Sequence, residues 1–145
     1  MITDAMFSSK TDEWATPQEF FDALDSEFHF TLDAAADATN HKCEKYYDKA
    51  HDGLENPWGG VTFCNPPYGR QIGKWVRKGY EEYKNGTTVV MLLPARTDTK
   101  WFHDYILGKA EIRFLRGRLK FGGCENNAPF PSMVVIYGEY GDGDD

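Results

Sequence analysis

Val61-Thr62-Phe63-Cys64-Asn65-Pro66-Pro67-Tyr68-Gly69 is a short β-branched and aromatic run that stops at a polar tetrad. Pro66 drives Asn65 into an extended backbone, and Pro67 does the same to Pro66. Each proline also fixes its own φ and lacks an N–H. The stretch therefore reads as a strand ending in a stiff turn that carries an amide, a free Pro66 carbonyl and an aromatic ring. The Asn65 side-chain oxygen and the Pro66 carbonyl are two acceptors for both hydrogens of an exocyclic amine. Tyr68 can stack on the ring that bears that amine, a contact worth about 1–3 kcal/mol per base. Pulling both hydrogens to one side draws the nitrogen lone pair out of conjugation, so that it can attack an electrophile. Taken alone, the tetrad is equally a rigid surface turn.

The flanking sequence supplies a fold for this strand. Thr16-Pro17-Gln18-Glu19 has the form of a capped helix start, with Thr16 as cap and Glu19 closing a capping box. Phe20, Phe21, Leu24 and Phe28 follow at helical spacing and predict a helix over 17–27. Phe30 to Ala34 alternates and predicts a strand ending at Asp33, followed by the small residues Ala34, Ala35 and Ala36. Residues 38–58 show no clear period; Asp52-Gly53-Leu54 reads as a turn. Ile72, Trp75, Val76, Tyr80 and Tyr83 predict an amphipathic helix over 71–84. Thr88 to Leu93 is a continuous apolar run, as expected of a strand buried on both faces. A helix over 98–107 and strands at 112–115, 119–121 and 133–137 complete the pattern.

This alternation predicts an α/β domain with a largely parallel sheet and a terminal antiparallel hairpin. Asp33, Asn65 and Pro94-Ala95-Arg96 all fall at C-terminal ends of predicted strands, the edge where open α/β sheets bind ligands. They are expected to share one site. Small residues after Asp33 suit close approach of a cofactor to the backbone, or equally tight packing of a helix start. Asp33 or Asp37 could meet ribose hydroxyls or an ammonium, or Asp37 could cap.

With 145 residues, the chain is expected to be one domain, with a loose arm at 1–11 and an acidic tail at 138–145. No run of 18 apolar residues and no signal-peptide pattern occurs, so a cytoplasmic chain is expected. Three widely spaced cysteines argue against a disulfide framework. His41, Cys43 and His51 lack metal-ligand spacing, so no metal is expected. The net charge is −7, yet residues 70–120 hold 12 Lys or Arg against 5 Asp or Glu. A basic segment behind the tetrad is what a polyanion-binding face needs, although solvated helix faces give the same count.

The ordered set of motifs resembles the short phage-type, Dam-like DNA N6-adenine methyltransferases. It comprises Trp14-Ala15-Thr16-Pro17, Leu32-Asp33-Ala34-Ala35-Ala36, Asp52-Gly53-Leu54, Asn65-Pro66-Pro67-Tyr68-Gly69, Leu93-Pro94-Ala95-Arg96 and Gly117-Arg118-Leu119-Lys120-Phe121. The resemblance spans about 12–137. It implies a compact Rossmann-like methyltransferase sheet, S-adenosylmethionine as donor, double-stranded DNA as partner and direct transfer to a flipped-out adenine. Asn65, Pro66, Pro67 and Tyr68 match the catalytic tetrad. Thr16, Pro17, Asp33, Ala34, Ala35, Asp52 and Asn65 match cofactor-binding positions. The chain departs from most such enzymes in having no Gly-x-Gly turn after the first strand, and no separate target-recognition domain is expected within 145 residues. Reading of DNA would fall to loops 69–74, 96–101 and 116–131, with Arg96, Lys100, Arg116, Arg118 and Lys120 as candidate contacts, phosphates first. For Arg113, Arg116 and Arg118, protection of an edge strand is the plainer alternative. The same tetrad would serve cytosine N4, RNA bases or a protein amide, and a degenerate DNA-binding module is the non-enzymatic alternative. Nothing in the sequence distinguishes a monomer from a homodimer.

Overall fold

The computed structural model describes residues 14–138. The arm at 1–11 and all but the first residue of the acidic tail lie outside that range. Eight elements follow in order: α1 (Gln18–Phe28), β1 (Leu32–Asp33), β2 (Val61–Cys64), α2 (Ile72–Lys84), β3 (Thr88–Pro94), α3 (Lys100–Tyr105), β4 (Glu111–Phe114) and β5 (Ser132–Tyr137). The five strands form one mixed sheet in the order β1-β2-β3-β5-β4. β1, β2 and β3 pair in parallel, with Asp33 opposite Phe63 and Cys64 opposite Met91. β5 is antiparallel to both of its neighbours, β3 and β4.

The expected sheet is thus only partly parallel. Four strands run one way, but β5 is inserted between β3 and β4, so two of the four strand pairings are antiparallel. The expected terminal antiparallel pair does form, between β4 and β5, with residues 115–131 connecting them. The strand expected over Leu119–Phe121 does not form. Leu119 and Phe121 do turn inward, but the backbone bonds at the segment are isolated: Gly122 N–H to the Ala15 carbonyl (2.8 Å), Cys124 N–H to the Phe121 carbonyl (3.1 Å) and Ala128 N–H to the Leu119 carbonyl (2.7 Å).

β3 explains the two layers. Val89, Met91 and Leu93 pack with Ile72, Trp75 and Val76 of α2 and with Phe102 of α3. Val90 and Leu92 point the other way, toward Phe21, Leu24 and Phe28 of α1. An unbroken apolar run is what a strand with covered faces requires, and each fully buried aliphatic side chain contributes about 1.5–3 kcal/mol. α2 lies close to β3 because Gly79 has no side chain: a Cβ there would sit 2.8 Å from the Met91 sulfur.

α1 begins one residue later than expected. Pro17 is the cap, with extended φ and ψ of −61° and 135°, and no side chain caps the helix. The Thr16 hydroxyl is engaged elsewhere, by Asn65. Glu19 remains in the first turn, where its charge favours the helix dipole. β1 is also shorter than expected. Phe30 leaves the strand to join Phe21, Phe28 and Phe63 in an aromatic group. The free side of β1 is covered by residues 45–47: Asp33 N–H donates to the Lys45 carbonyl (3.1 Å) and Tyr47 N–H to the Asp33 carbonyl (3.0 Å).

Candidate active site

Because β1, β2 and β3 are parallel, Asp33, Asn65 and Arg96 come to the same edge of the sheet. β4, reversed twice relative to β3, runs the same way, so the turn after Phe114 reaches that edge as well. The polar sequence features that looked separate along the chain are brought together here.

Asn65 holds the most informative atom. Its Nδ2 donates to the Trp14 carbonyl and to the Thr16 hydroxyl, the latter at 2.9 Å. A backbone carbonyl only accepts, so these partners fix which end of the amide is nitrogen. Oδ1 is thereby aimed away from both. It is buried and has no hydrogen-bond partner. An unsatisfied buried acceptor costs about 1–3 kcal/mol, and such an atom in a folded protein calls for a reason. Among the described residues nothing donates to the Pro66 carbonyl either.

Beside Asn65 opens a cavity of about 750 Å³, in the range of cofactor sites. Thr16, Asp33, Ala35, Asp52, Asn65 and Pro67 line it. Of the sequence-derived positions, Pro17, Ala34, Pro66 and Tyr68 do not. Ala34 is fully buried beneath the cavity, its N–H bound to the Phe63 carbonyl at 2.9 Å. Pro17 caps α1.

The carboxylates build the cavity wall. Asp33 accepts from Lys42 N–H (2.9 Å) and Ala35 N–H (3.4 Å). Burial pushes its pKa up to about 6, against the lowering effect of those two backbone bonds. Asp37 accepts from the Thr39 and Asn40 N–H groups, and Asp52 from Leu54 N–H at 2.8 Å. The aperiodic stretch is therefore organised by short side chains that hold backbone amides.

Gly53, in the 52–54 turn, lies directly against the loop that follows β1. A Cβ on Gly53 would lie 2.2 Å from the Ala34 carbonyl oxygen and 3.0 Å from the Trp75 ring. The 52–54 turn thus packs backbone to backbone on the loop after β1. Gly53, Trp75 and the Trp14 carbonyl were not singled out as site residues by sequence reasoning. Gly53 and Trp14 did stand inside the quoted motifs, but contact between distant segments has no local signal.

Tyr68 is placed differently from the stacking surface expected of it. Its ring is 5% exposed, its hydroxyl donates to the Leu92 carbonyl at 3.0 Å, and the rings of Phe121 and Phe130 meet it edge-on. Trp14 contacts both phenylalanines, with centroids at 5.4 and 5.1 Å. Residues 115–131 thus cover Tyr68, and they do so with aromatic edges.

Arg96, Lys100, Arg116, Arg118 and Lys120 are all exposed. Lys100 pairs with Asp104 at 3.0 Å on the surface of α3. Arg113 belongs with the structural alternative: it grips Glu27 of α1 with two nitrogens (2.8 and 2.7 Å) and lies over Phe28. Among the described residues no three His, Cys, Asp or Glu side chains form a metal-binding group.

A sequence-family profile described as DNA N-6-adenine-methyltransferase (Dam) matches residues 4–141. A protein of Escherichia phage T1 named DNA N-6-adenine-methyltransferase is 35% identical over 111 residues, covering 74% of this chain and 46% of its own length. A protein of the same name from Haemophilus phage HP1 is 32% identical over 140 residues, covering 89% of this chain and 80% of its own. The match thus spans about half of the T1 relative and most of the HP1 relative.

Proposed function

Since the chain belongs to the DNA N-6-adenine-methyltransferase (Dam) family, we propose that it transfers a methyl group from S-adenosylmethionine to the N6 amine of an adenine turned out of duplex DNA. The observation that carries this reading is the Asn65 amide, with its nitrogen held by two acceptors and its oxygen left without a donor. Oδ1 is an acceptor held ready for one amine hydrogen, and the Pro66 carbonyl supplies a second.

The cavity beside Asn65 fits the donor in size, in its small-residue floor and in its edge position. Thr16, Ala35 and Asp52 would hold the donor, with Asp33 fixing the loop that carries Ala35. S-adenosylmethionine supplies an electrophilic methyl group on a sulfonium. The residues do the rest. Asn65 and Pro66 orient the amine and pull its hydrogens aside, so that the nitrogen lone pair faces the cavity. Positioning and preset dipoles then lower the barrier without a covalent enzyme intermediate.

An adenine must leave the duplex to reach Asn65. Tyr68 meets the base once Phe121 and Phe130 yield, and the exposed Arg96, Lys100, Arg116, Arg118 and Lys120 hold phosphates on the same edge. The parallel β1–β3 unit, with its cavity at the C-terminal edge, supports a Rossmann-like reading of the sheet. Action on DNA in the cytoplasm of a bacterial or phage-infected cell follows from the proposed substrate. No helix among the described residues is long and apolar enough to cross a membrane.

The test is incubation of the full chain with methyl-labelled donor and unmethylated genomic DNA, followed by nucleoside analysis. Label in N6-methyl-2′-deoxyadenosine is expected. Label in a cytosine nucleoside would reassign the acceptor, and no label together with no donor binding would leave only a non-catalytic module.

A further inference from the structure

Two large hydrophobic side chains among the described residues stand open to water: Leu107 at 50% and Phe114 at 60% exposure. They occupy opposite ends of the sheet. Leu107 precedes the start of β4, whereas Phe114 is its last residue. Because β4 runs with β3, Phe114 lies on the edge that carries Asn65 and Arg96. It pairs with Met133, so it projects from the α2–α3 face rather than toward α1, where Arg113 is held by Glu27. Beyond it the chain turns at Gly117 (φ 76°) and presents Arg116 and Arg118 to solvent.

An apolar ring within four residues of two exposed guanidinium groups suits one kind of partner: a polyanion with an apolar interior. Duplex DNA has both, in its phosphates and its base stack. The spacing also fits. From β2 to β4 is three strand positions, roughly 14 Å, comparable with the major-groove width of about 12 Å. One duplex can therefore reach Asn65 and Phe114 together.

We propose that Phe114 is a wedge that enters the base stack of duplex DNA while the target adenine is held at Asn65. The inference rests on the adenine methyltransferase reading and adds a positioning residue to it. An adenine that leaves the stack opens a gap, and an inserted ring offsets the lost stacking and slows the return of the base. Phe114 acts on the duplex and not on the amine, so its contribution disappears when no pair has to be opened.

The experiment compares single-turnover methylation by the full-length wild type, Phe114→Ala, Phe114→Trp and Leu107→Ala. The substrates are a paired duplex, the same duplex with the base opposite the target removed, and the single strand. Phe114→Ala is expected to lose about 10-fold or more on the paired duplex, while staying within about 2-fold of wild type on the other two. Phe114→Trp should restore the paired-duplex rate, and Leu107→Ala should match wild type throughout. A wild-type rate for Phe114→Ala on paired DNA, or an equal loss on all three substrates, would overturn the wedge. A wild type inactive on every substrate would instead overturn the methyltransferase reading and the wedge with it.

Discussion

The cavity wall over residues 33–54 and the cover over 115–131 meet at Asn65, yet they are built by opposite means. The wall is held by carboxylates that accept backbone N–H groups: Asp33 from Ala35 and Lys42, Asp37 from Thr39 and Asn40, Asp48 from His51, Asp52 from Leu54. Such bonds fix loop geometry, and Gly53 locks the wall to the Ala34 carbonyl from the other side. The cover has few backbone bonds and closes through Phe121 and Phe130 against Tyr68 and Trp14. Edge-on aromatic contacts can be exchanged for contacts with a base of similar size, whereas hydrogen-bonded loops cannot move without leaving polar groups unpaired. The difference suits a donor that needs a prebuilt cavity and a base that enters late.

Asn65 stands at the junction, and breaking it should give the largest effect. Asn65→Ala is expected to lower single-turnover methylation by about 100- to 1000-fold, the scale set by removing one preorganised polar group. Calorimetric donor affinity should remain within a few-fold, because the wall does not depend on this side chain alone. Near wild-type turnover would separate the tetrad from the chemistry.

The wall is sharpened by a smaller intrusion. Gly53→Ala places a carbon against backbone oxygen, so the 52–54 turn must shift. A stability loss of about 1–3 kcal/mol is expected from urea melts, with donor binding weakened by about 10-fold. Unchanged donor binding would mean that this turn does not shape the cavity.

Asp33 gives a pH signature. Burial raises its pKa from the ordinary carboxylate range to about 6, so the folded chain holds that proton more tightly than the unfolded one. Its own contribution to stability therefore falls as pH rises from about 4 to about 6 and is level beyond. Urea melts across that window should show this component in the wild type and not in Asp33→Asn. Identical pH profiles would contradict the assignment.

The smallest effect belongs to the exposed cations. Arg118→Ala should weaken DNA binding similarly for all sequences and reduce the steepness of its salt dependence by about one unit. An unchanged slope would exclude a phosphate contact.

The sequence made legible whatever is periodic or stiff. The unbroken run of β3 announced two covered faces, the spacing of Ile72, Trp75 and Val76 announced α2, and the tetrad fell where β2 ends. Tertiary partners were not legible. Thr16 had the form of a helix cap, but Asn65 claims its hydroxyl. Leu119 and Phe121 alternate like a strand, and they do bury, but the segment between β4 and β5 finds no continuous ladder. The insertion of β5 between β3 and β4 leaves no mark in local pattern, because each strand's sequence is satisfied by either neighbour. The stretch over residues 38–58, which includes much of the wall, has no period because side chains and not a ladder satisfy much of its backbone.

Hydrogen exchange of the full chain tests the division between wall and cover most directly. Donor alone should protect amides of residues 33–54 and leave 115–131 unchanged. Adding duplex DNA should then alter exchange in 115–131, around Phe121 and Phe130. Equal changes in both regions on donor binding, or an unaltered 115–131 segment with DNA bound, would contradict the account.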